Sequence, residues 1–337
     1  MPSTASVTGA NTAGVGLISR PYTEIDAPAV ADLWNRGEAA YGGDPGYSVE
    51  NSHAIVVSFA HDLERDSRLI FARDGGSADG APTGGTLVAM GAISAPPPGG
   101  HRADILGGVD PDWQGRGIGR ELLAWQLARL DEMRAERESD AAWQVHAGAD
   151  ERERASVRLF ERFGMRPARY FLEMVADPAT APEVPVPDGL RVQAYTPDLA
   201  ERIYEAHMEA FADHWGFERE PYEDFRLMAM DAADFRPDLT LVALDGEEIA
   251  GYVISFDGAG GRHFVGDVGT RRPWRRRGIA GALVAASMRA AAATDRTISI
   301  LGVDSDSPTG AISVYERVGF AMRSRRVSYQ YDLVARP

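Results

Sequence analysis

The feature that most constrains the fold of this chain is a glycine-containing loop that occurs twice in the same context. One copy reads QGRGIG and the other RRRGIA, and each follows a β-rich run and opens an amphipathic run. Gly278 of the second copy follows Gly117 of the first by 161 residues (278 − 117). A second motif repeats as ERFGM and ERVGF, and Gly319 follows Gly164 by 155 residues (319 − 164). The similar spacings predict two copies of one structural unit.

A proline-rich stretch divides the chain near its middle. Residues 176–188, ADPATAPEVPVPD, contain four prolines and show neither a helical nor a strand period, which is typical of an extended connector. A chain of 337 residues also has the length of two domains of about 150 residues each. We therefore predict a flexible leader over 1–15, an N-terminal domain over 16–176, a linker over 177–188 and a C-terminal domain over 189–337.

The two predicted domains show the same order of elements. In the second, two β-rich runs are joined by Asp245-Gly246, a dipeptide that tolerates the positive φ angles of a tight hairpin. A further strand precedes the loop, and Ile279 and Leu283 mark one face of the helix that follows it. In the first domain the hairpin loop is longer, and Gly75 to Gly85 has the composition of a flexible insertion. Periodicity alone therefore predicts an α/β fold for each domain.

Composition excludes several classes of function. A net charge of −15 argues against binding nucleic acid over the whole surface, because affinity for a polyanion comes from Lys and Arg that pair with phosphates. The absence of cysteine excludes disulfides, cysteine nucleophiles and thiolate metal sites. No apolar run approaches the roughly 20 residues needed to cross a bilayer, and the first residues lack the pattern of a signal peptide. We expect a cytoplasmic monomer or homodimer with no nucleic-acid or membrane partner.

The repeated loop has the composition of a pyrophosphate-binding loop. Small residues let the backbone approach a pyrophosphate, whose charge is met by N–H groups at the start of the following helix. A single loop of this kind often serves only to turn a chain, whereas two copies in register favour binding. The residues assigned to it are Gln114, Gly115, Arg116, Gly117, Ile118 and Gly119 in the first copy and Arg275, Arg276, Arg277, Gly278, Ile279 and Ala280 in the second.

The chain resembles the GNAT family of N-acetyltransferases, and its two-copy plan resembles the tandem members of that family. The stretches that carry the resemblance are VDPDWQGRGIGRELL, VGTRRPWRRRGIAGALV and SPTGAISVYERVGF. The resemblance implies two fused domains, each with a mixed, mostly antiparallel sheet flanked by helices, in which two central strands splay apart and admit the pantetheine arm of acetyl-CoA. It also implies acetyl-CoA as the co-substrate, with Val109 and Ser307 among the residues that bind it.

Five arginines surround the second loop, at positions 271, 272 and 275–277. Such a cluster can be a solvated loop, a nucleic-acid patch or a set of partners for the phosphates of acetyl-CoA. The acidic chain and the helix start that follows favour the phosphates.

Acyl transfer from a thioester needs a donor at the carbonyl oxygen and an acid for the departing thiolate. The resemblance implies backbone N–H groups at Val268, Gly269 and Thr270 for the carbonyl oxygen. It implies a tyrosine four residues before the glycine of a Gly-Phe pair as the acid, and Tyr315 stands there. The alternative role of Tyr315 is to pack its helix onto the sheet. The first copy has Phe160 at this place, which has no hydroxyl to donate, so we expect that copy to be non-catalytic, either binding acetyl-CoA without turnover or serving a structural role. The alternative is that its thiolate leaves unaided.

The general base is less clearly marked. Many family members carry a glutamate eleven residues before the loop, and here that position is Phe264. Asp267 lies on the same strand nearer the loop and is the leading candidate, with His263 and Asp304 as alternatives that would act through a water. The competing interpretation of Asp267 is a carboxylate paired with a neighbouring arginine.

The resemblance places the acceptor at the first two helices and their loop, which here gives His214, Trp215 and Phe217 as substrate-binding residues. Aromatic and acidic residues in this stretch suit a small polar or cationic amine, in a biosynthetic or resistance role.

No His or carboxylate at ligand spacing supports a metal site. Two other functions stay open, a non-catalytic acyl-CoA sensor or scaffold and a peptide or protein N-acetyltransferase.

Overall fold

The computed structural model divides the chain into two compact units. It describes residues 16–43, 45–73, 85–97, 99–137, 142–215, 217, 219–258, 260–307 and 310–334. Unit 1 consists of Met1–Ala168 and Val327–Pro337, and unit 2 consists of Arg169–Arg326. The leader predicted over 1–15 lies outside the described residues, as does the insertion predicted over 75–85 apart from Gly85.

Unit 1 is a sheet with helices on both faces. Its elements are β1 (Leu17–Arg20), α1 (Ala27–Ala40), α2 (Val49–Phe59), α3 (Leu63–Asp66), β2 (Ser67–Arg73), β3 (Gly85–Ser94), β4 (Arg102–Val109), α4 (Ile118–Glu136), β5 (Trp143–Asp150) and α5 (Arg154–Arg162). The strands lie in the order β1-β2-β3-β4-β5, antiparallel except for the parallel pair β4 and β5. Val30 and Leu33 of α1 pack on one face, and Ile118 and Leu122 of α4 pack on the other.

Unit 2 repeats this plan. Its elements are β6 (Arg166–Ala176), β7 (Arg191–Ala194), α6 (Ala200–Phe211), α7 (Tyr222–Ala229), β8 (Leu241–Asp245), β9 (Glu248–Gly258), β10 (Arg262–Thr270), α8 (Ile279–Ala292), β11 (Ser299–Asp304) and α9 (Ala311–Arg317). The strand order is β7-β8-β9-β10-β11-β6, and only β10 and β11 are parallel among these neighbours. The predicted mixed, mostly antiparallel sheet flanked by helices is therefore confirmed.

The core of unit 2 has two layers. Leu283, Val284 and Met288 of α8 pack with Val253 and neighbouring residues on one face of the sheet. On the other face α6 and α7 contribute a second cluster around the buried side chain of Tyr252. Among the described helices, none is long and apolar enough to span a membrane.

The last strand of each unit comes from the other half of the chain. β12 (Ala321–Leu333) enters unit 1, which contains the chain from Val327 onward, and there it follows β5 in the strand order. Residues 169–176 of β6 belong to unit 2, where they pair with β11. The units therefore differ from the contiguous domains predicted over 16–176 and 189–337, because the pairing partner of a strand is not encoded in its own alternation.

The segment predicted as a linker over 177–188 packs on unit 2. Ala181 and Val184 lie against its core, and the guanidinium of Arg289 donates to the carbonyl oxygen of Pro182. This segment is therefore part of the packing of unit 2.

Candidate active site

Two parallel strands in the middle of unit 2 separate part-way along their length. β10 pairs with β11 only from His263 to Val265, and it then continues to Thr270 while still paired with β9. Its register against β9 shifts between Val265 and Asp267. Beyond Val265, the backbone groups of β10 on the β11 side have no strand partner among the described residues, and such groups require another hydrogen-bond partner. The predicted splay is thus present.

The loop after β10 places backbone N–H groups at the start of α8. Arg276 and Gly278 have positive φ angles of 63° and 86°, a conformation that is unusual for arginine. The first intrahelical bond runs from the N–H of Ala282 to the carbonyl of Gly278, at 3.1 Å. The N–H groups of Ile279 and Ala280 therefore have no intrahelical acceptor and lie at the positive end of the helix. An anion with several oxygens fits this arrangement.

Three of the five arginine side chains at the loop form ion pairs with carboxylates. The prediction was that these side chains are available to phosphates. Arg271 donates to Glu209 at 2.6 Å. Arg272 and Arg275 each donate to one oxygen of Asp213, at 2.6 and 2.9 Å. Because α6 and the residues after it present these acids to the loop, the side chains form ion pairs there.

The other two arginines of the cluster are exposed. Arg277 donates to the carbonyl oxygen of Asp188 at 3.3 Å. Arg276 has no hydrogen bond or ion pair within the described part of the chain.

Tyr315 and Asp267 belong to the same electrostatic environment. Tyr315 lies on α9, is 8% exposed and packs its side chain in the core of unit 2. Burial raises the pKa of Tyr315 to about 12, and the charge of Asp267 contributes to that rise. The phenol is therefore protonated at neutral pH and can act as an acid. The half-buried carboxylate of Asp267 has no hydrogen bond or ion pair among the described residues, and so no arginine neutralises it.

The charge of Asp267 also acts on a buried tyrosine and a buried histidine. The hydroxyl of Tyr252 is 2.9 Å from Nδ1 of His207. The ring of Tyr252 covers Gly269, where an added Cβ would lie 2.3 Å from the ring, so this strand position requires glycine. Burial lowers the pKa of His207, and Asp267 opposes that effect. Burial also raises the pKa of Tyr252, with further contributions from Asp267 and Tyr315.

The alternative bases have structural partners. His263 is fully buried, and its two ring nitrogens contact the hydroxyls of Ser299 at 2.9 Å and of Ser255 at 3.1 Å. Burial lowers the pKa of His263 to about 4, so the ring is neutral. Asp304 accepts two hydrogen bonds of 2.9 Å from Nε of Arg169. Of the candidate bases, Asp267 alone lacks such a partner among the described residues.

The predicted acceptor residues lie after α6 and are half-buried. His214 packs on Phe211, with ring centroids 4.2 Å apart, and burial lowers its pKa. Phe217 packs on the cluster formed by α6 and α7. Trp215 contacts Phe171 of β6, with ring centroids 6.4 Å apart. β6, which begins in the first half of the chain, therefore contributes to this part of unit 2.

Two further features complete the site. Glu220, after the acceptor loop, has a raised pKa because it is half-buried and lies near the negative charges of Asp267 and Asp224. Ser307 lies in the turn between β11 and α9, where its N–H donates to the carbonyl of Asp304 at 3.1 Å. No group of three or more metal-binding side chains occurs among the described residues.

Unit 1 repeats the backbone of this site without its ionisable groups. β4 leaves β5 after Ile105 and continues to Val109, and Gly115 and Gly117 have φ angles of 77° and 88°. In the ladder of β3 and β4, Met90 stands opposite Gly108, as Tyr252 stands opposite Gly269 in unit 2. By the same register Leu106 takes the place of Asp267.

Sequence reasoning missed His207 and Tyr252, whereas Asp213 and Glu220 fall within the stretch of residues 212–224 that it assigned to the acceptor. His207 falls on the apolar face of α6, four residues after Ile203, and a polar residue on that face was the available signal. The place of Tyr252 opposite Gly269 follows from strand register and has no local signal.

The comparisons with known proteins agree with this geometry. The model of the Acetyltransferase (GNAT) family matches residues 44–165 and again residues 200–320. A mycothiol acetyltransferase of Clavibacter michiganensis subsp. michiganensis is 31% identical over 288 residues, which cover 80% of this chain and 84% of the relative. A mycothiol acetyltransferase of Clavibacter sepedonicus is 28% identical over 330 residues, covering 92% and 97%.

Solved structures show the same fold over nearly the whole chain. A GCN5-related N-acetyltransferase of Sphaerobacter thermophilus superposes with a TM-score of 0.74 at 27% identity, covering 95% of this chain and 96% of that one. A tandem GNAT protein from the clavulanic acid biosynthesis pathway has a TM-score of 0.68 at 17% identity, covering 95% and 100%.

Two sheets whose parallel central strands separate, each followed by a positive-φ loop at the start of a helix, agree with the family model, and the class is a tandem N-acetyltransferase. The chain belongs to the GNAT acetyltransferase family, and it carries two copies of the family's fold.

Proposed function

We propose that unit 2 transfers the acetyl group of acetyl-CoA to the amine of a small polar or cationic acceptor. The observation that carries the proposal is the half-buried carboxylate of Asp267, which has no ion-pair or hydrogen-bond partner among the described residues and whose charge contributes to the raised pKa of the protonated Tyr315. Asp267 on β10 can take a proton, and Tyr315 on α9 can give one.

The cofactor site fits acetyl-CoA at two places. The N–H groups of Ile279 and Ala280 suit the pyrophosphate, and the unpaired edge of β10 suits the amide groups of the pantetheine arm. Acetyl-CoA supplies an activated thioester. We assign the backbone of Val268, Gly269 and Thr270 to the thioester carbonyl, because this segment continues past the end of the β10–β11 pairing.

The chain's own residues then handle two protons. Asp267, directly or through a water, accepts the proton that the bound ammonium loses to become the neutral amine that attacks the acetyl carbon. Tyr315 donates its hydroxyl proton to the sulfur as the carbon–sulfur bond breaks, and the proton that the nitrogen loses as its bond to the acetyl carbon forms restores the Tyr315 hydroxyl. The products are the acetylated amine and CoA with a free thiol.

Unit 1 is proposed to be non-catalytic. Phe160 and Leu106 stand where unit 2 has the acid and the base, so neither proton can be handled there. Its loop of residues 114–119 keeps the backbone geometry of an anion site, which leaves acetyl-CoA binding without turnover as its proposed role.

The charge of the acceptor is inferred from the acids at the site. Asp267 and Glu220 are both half-buried, and their repulsion contributes to the raised pKa of Glu220. A protonated amine bound near them relieves this repulsion. The relatives named mycothiol acetyltransferase support a small-molecule acceptor, and we propose a biosynthetic or resistance role.

A thiol-release assay with acetyl-CoA and a panel of amines tests this function. The panel contains small cationic amines, their neutral hydroxyl analogues and short peptides with a free N-terminus. We expect release well above background with small cationic amines only. Equal or greater release with the peptides contradicts the acceptor class, and no release above background with any amine contradicts catalysis of this type.

A further inference from the structure

One carboxylate in unit 2 bridges two arginines at the anion loop. Oδ1 of Asp213 accepts from Nη2 of Arg272 at 2.6 Å, and Oδ2 accepts from Nη1 of Arg275 at 2.9 Å. The two arginines lower the pKa of Asp213, which keeps it ionised at neutral pH. Each oxygen therefore holds its own guanidinium.

A phosphate group makes the same kind of contact with arginine. Guanidinium groups bind carboxylate and phosphate oxygens with similar geometry, and the phosphate carries more charge. Arg272 and Arg275 flank the loop whose N–H groups are proposed to bind a pyrophosphate. The carboxylate of Asp213 therefore occupies cations that an incoming phosphate would also attract.

Asp213 also lies where the acceptor loop begins. It is two residues after the end of α6 and directly before His214 and Trp215. Arg275 reinforces the connection, because it also donates to the carbonyl of Ala210 at 3.0 Å and to that of Thr270 at 3.2 Å. The position of the acceptor loop is thus connected to the anion loop through these arginines.

Unit 1 has a related link without charge. Nε2 of Gln114, the first residue of its loop, donates to the hydroxyl of Tyr41 at 2.6 Å, and Tyr41 directly follows α1. Both units therefore join the first loop residue to the end of the first long helix. In unit 2 the link consists of ionised groups.

We propose that Asp213 is a positioning residue that competes with the phosphates of acetyl-CoA for Arg272 and Arg275. When the phosphates take these arginines, Asp213 is released and the loop with His214 and Trp215 moves to its acceptor-binding position. Binding of acetyl-CoA thereby prepares the acceptor site. This proposal rests on the proposed function of the loop at 275–280.

The test is calorimetric titration of the full-length chain with acetyl-CoA. All forms carry Gly117→Glu, which removes binding at unit 1. Asp213→Asn is expected to bind acetyl-CoA at least threefold more tightly, because no carboxylate then competes for the arginines. Asp213→Glu, which keeps the charge, is expected to bind as the parent does. Glu205→Gln is the matched control, since it removes a charge from α6, the helix that ends two residues before Asp213, but the partner of Glu205 is Arg219.

A second measurement separates positioning from general destabilisation. For the amine with the highest thiol release in the panel, Asp213→Asn is expected to bind that amine at least threefold more tightly than the parent in calorimetry without acetyl-CoA, because the loop is already released. Its KM at saturating acetyl-CoA, its kcat and its melting temperature should change little.

The outcomes are distinguishable. Equal or weaker acetyl-CoA binding by Asp213→Asn, with normal binding by the parent, overturns this proposal and leaves the proposed function standing. Tighter binding that Glu205→Gln reproduces also overturns it, because the effect is then one of net charge. Absence of acetyl-CoA binding in the parent overturns the proposed cofactor site and this proposal with it.

Discussion

Tyr315 and Phe160 occupy the same place in the two units. The carbonyl of Tyr315 accepts hydrogen bonds from Val318 at 3.1 Å and from Phe320 at 3.0 Å, and the carbonyl of Phe160 accepts two bonds of the same lengths from the residues three and five positions later. The turn glycines that follow have φ angles of 104° and 77°. The backbones therefore match, and the chemical difference between the two positions is one hydroxyl group.

The substitution Gly278→Glu tests the proposed pyrophosphate-binding role of the loop of residues 275–280 in unit 2. Gly278 has a φ of 86°, which an L-residue adopts with strain, and a glutamate there places a negative charge where the pyrophosphate is proposed to bind. We expect loss of acetyl-CoA binding at unit 2 and of thiol release. Calorimetry is the measurement, with Gly117→Glu as the matched change in unit 1, which should leave thiol release in place. Normal binding stoichiometry in Gly278→Glu would sink the assignment.

The base is tested by Asp267→Asn across a pH series. We expect kcat to fall at least tenfold near neutral pH, and the deficit to shrink as pH rises toward about 10, because the amine then loses its proton without a base. Tyr315 has a pKa of about 12, partly because of Asp267, so it stays protonated over this range. The measurement is the pH profile of kcat for both forms. A deficit that is constant with pH, or none, contradicts the role of Asp267.

The buried histidine of unit 2 is expected to make stability depend on pH. Burial lowers the pKa of His263 from 6.5 to about 4, so the unfolded chain binds more protons between these values, and the stabilisation present above pH 6.5 is lost as pH falls. His263→Gln does not titrate. The unfolding free energy of the parent should therefore fall relative to this variant by about 2 kcal/mol from pH 7 to 5. Urea unfolding measures this, and a difference independent of pH rules out the neutral buried ring.

Because β6 supplies a strand to unit 2, we can predict which fragments of the chain fold. A fragment of residues 169–326 contains all of unit 2, whereas one of residues 189–337 lacks the strand that pairs with β11. An unpaired strand edge and an uncovered core favour aggregation. We expect cooperative urea unfolding, followed by circular dichroism, for 169–326 and not for 189–337. Cooperative folding of 189–337 alone would show that the contiguous half is sufficient.

Much of the fold follows from the sequence. The repeated loops, the hairpin at Asp245-Gly246 and the helix marked by Ile279 are local signals, and each lies where the pattern places it. The exchange of β6 and β12 was not predictable in this way. Alternation identifies a strand and its buried face, but the choice between two similar sheets depends on long-range pairing.

The site was predicted unevenly for a related reason. Tyr315 was predicted from its spacing to Gly319, and Asp267 was predicted because it lies on the strand of Phe264 nearer the loop. In the structure the charge of Asp267 contributes to the raised pKa of Tyr315. The arginine cluster was read as a set of phosphate partners because charge alone was visible. Its carboxylate partners, including Asp213, come from α6 and the turn after it, about 60 residues earlier in the chain, and packing alone brings them together.

The most direct measurement of the central claim is steady-state turnover by Tyr315→Phe, which gives unit 2 the side chain that unit 1 has at Phe160. We expect kcat to fall at least tenfold, equivalent to about 1.4 kcal/mol of transition-state stabilisation, with the affinity for acetyl-CoA little changed. Phe160→Tyr is the matched control and should not raise turnover, because unit 1 also lacks the carboxylate. Turnover unchanged in Tyr315→Phe would contradict the assignment of the acid and of catalysis to unit 2.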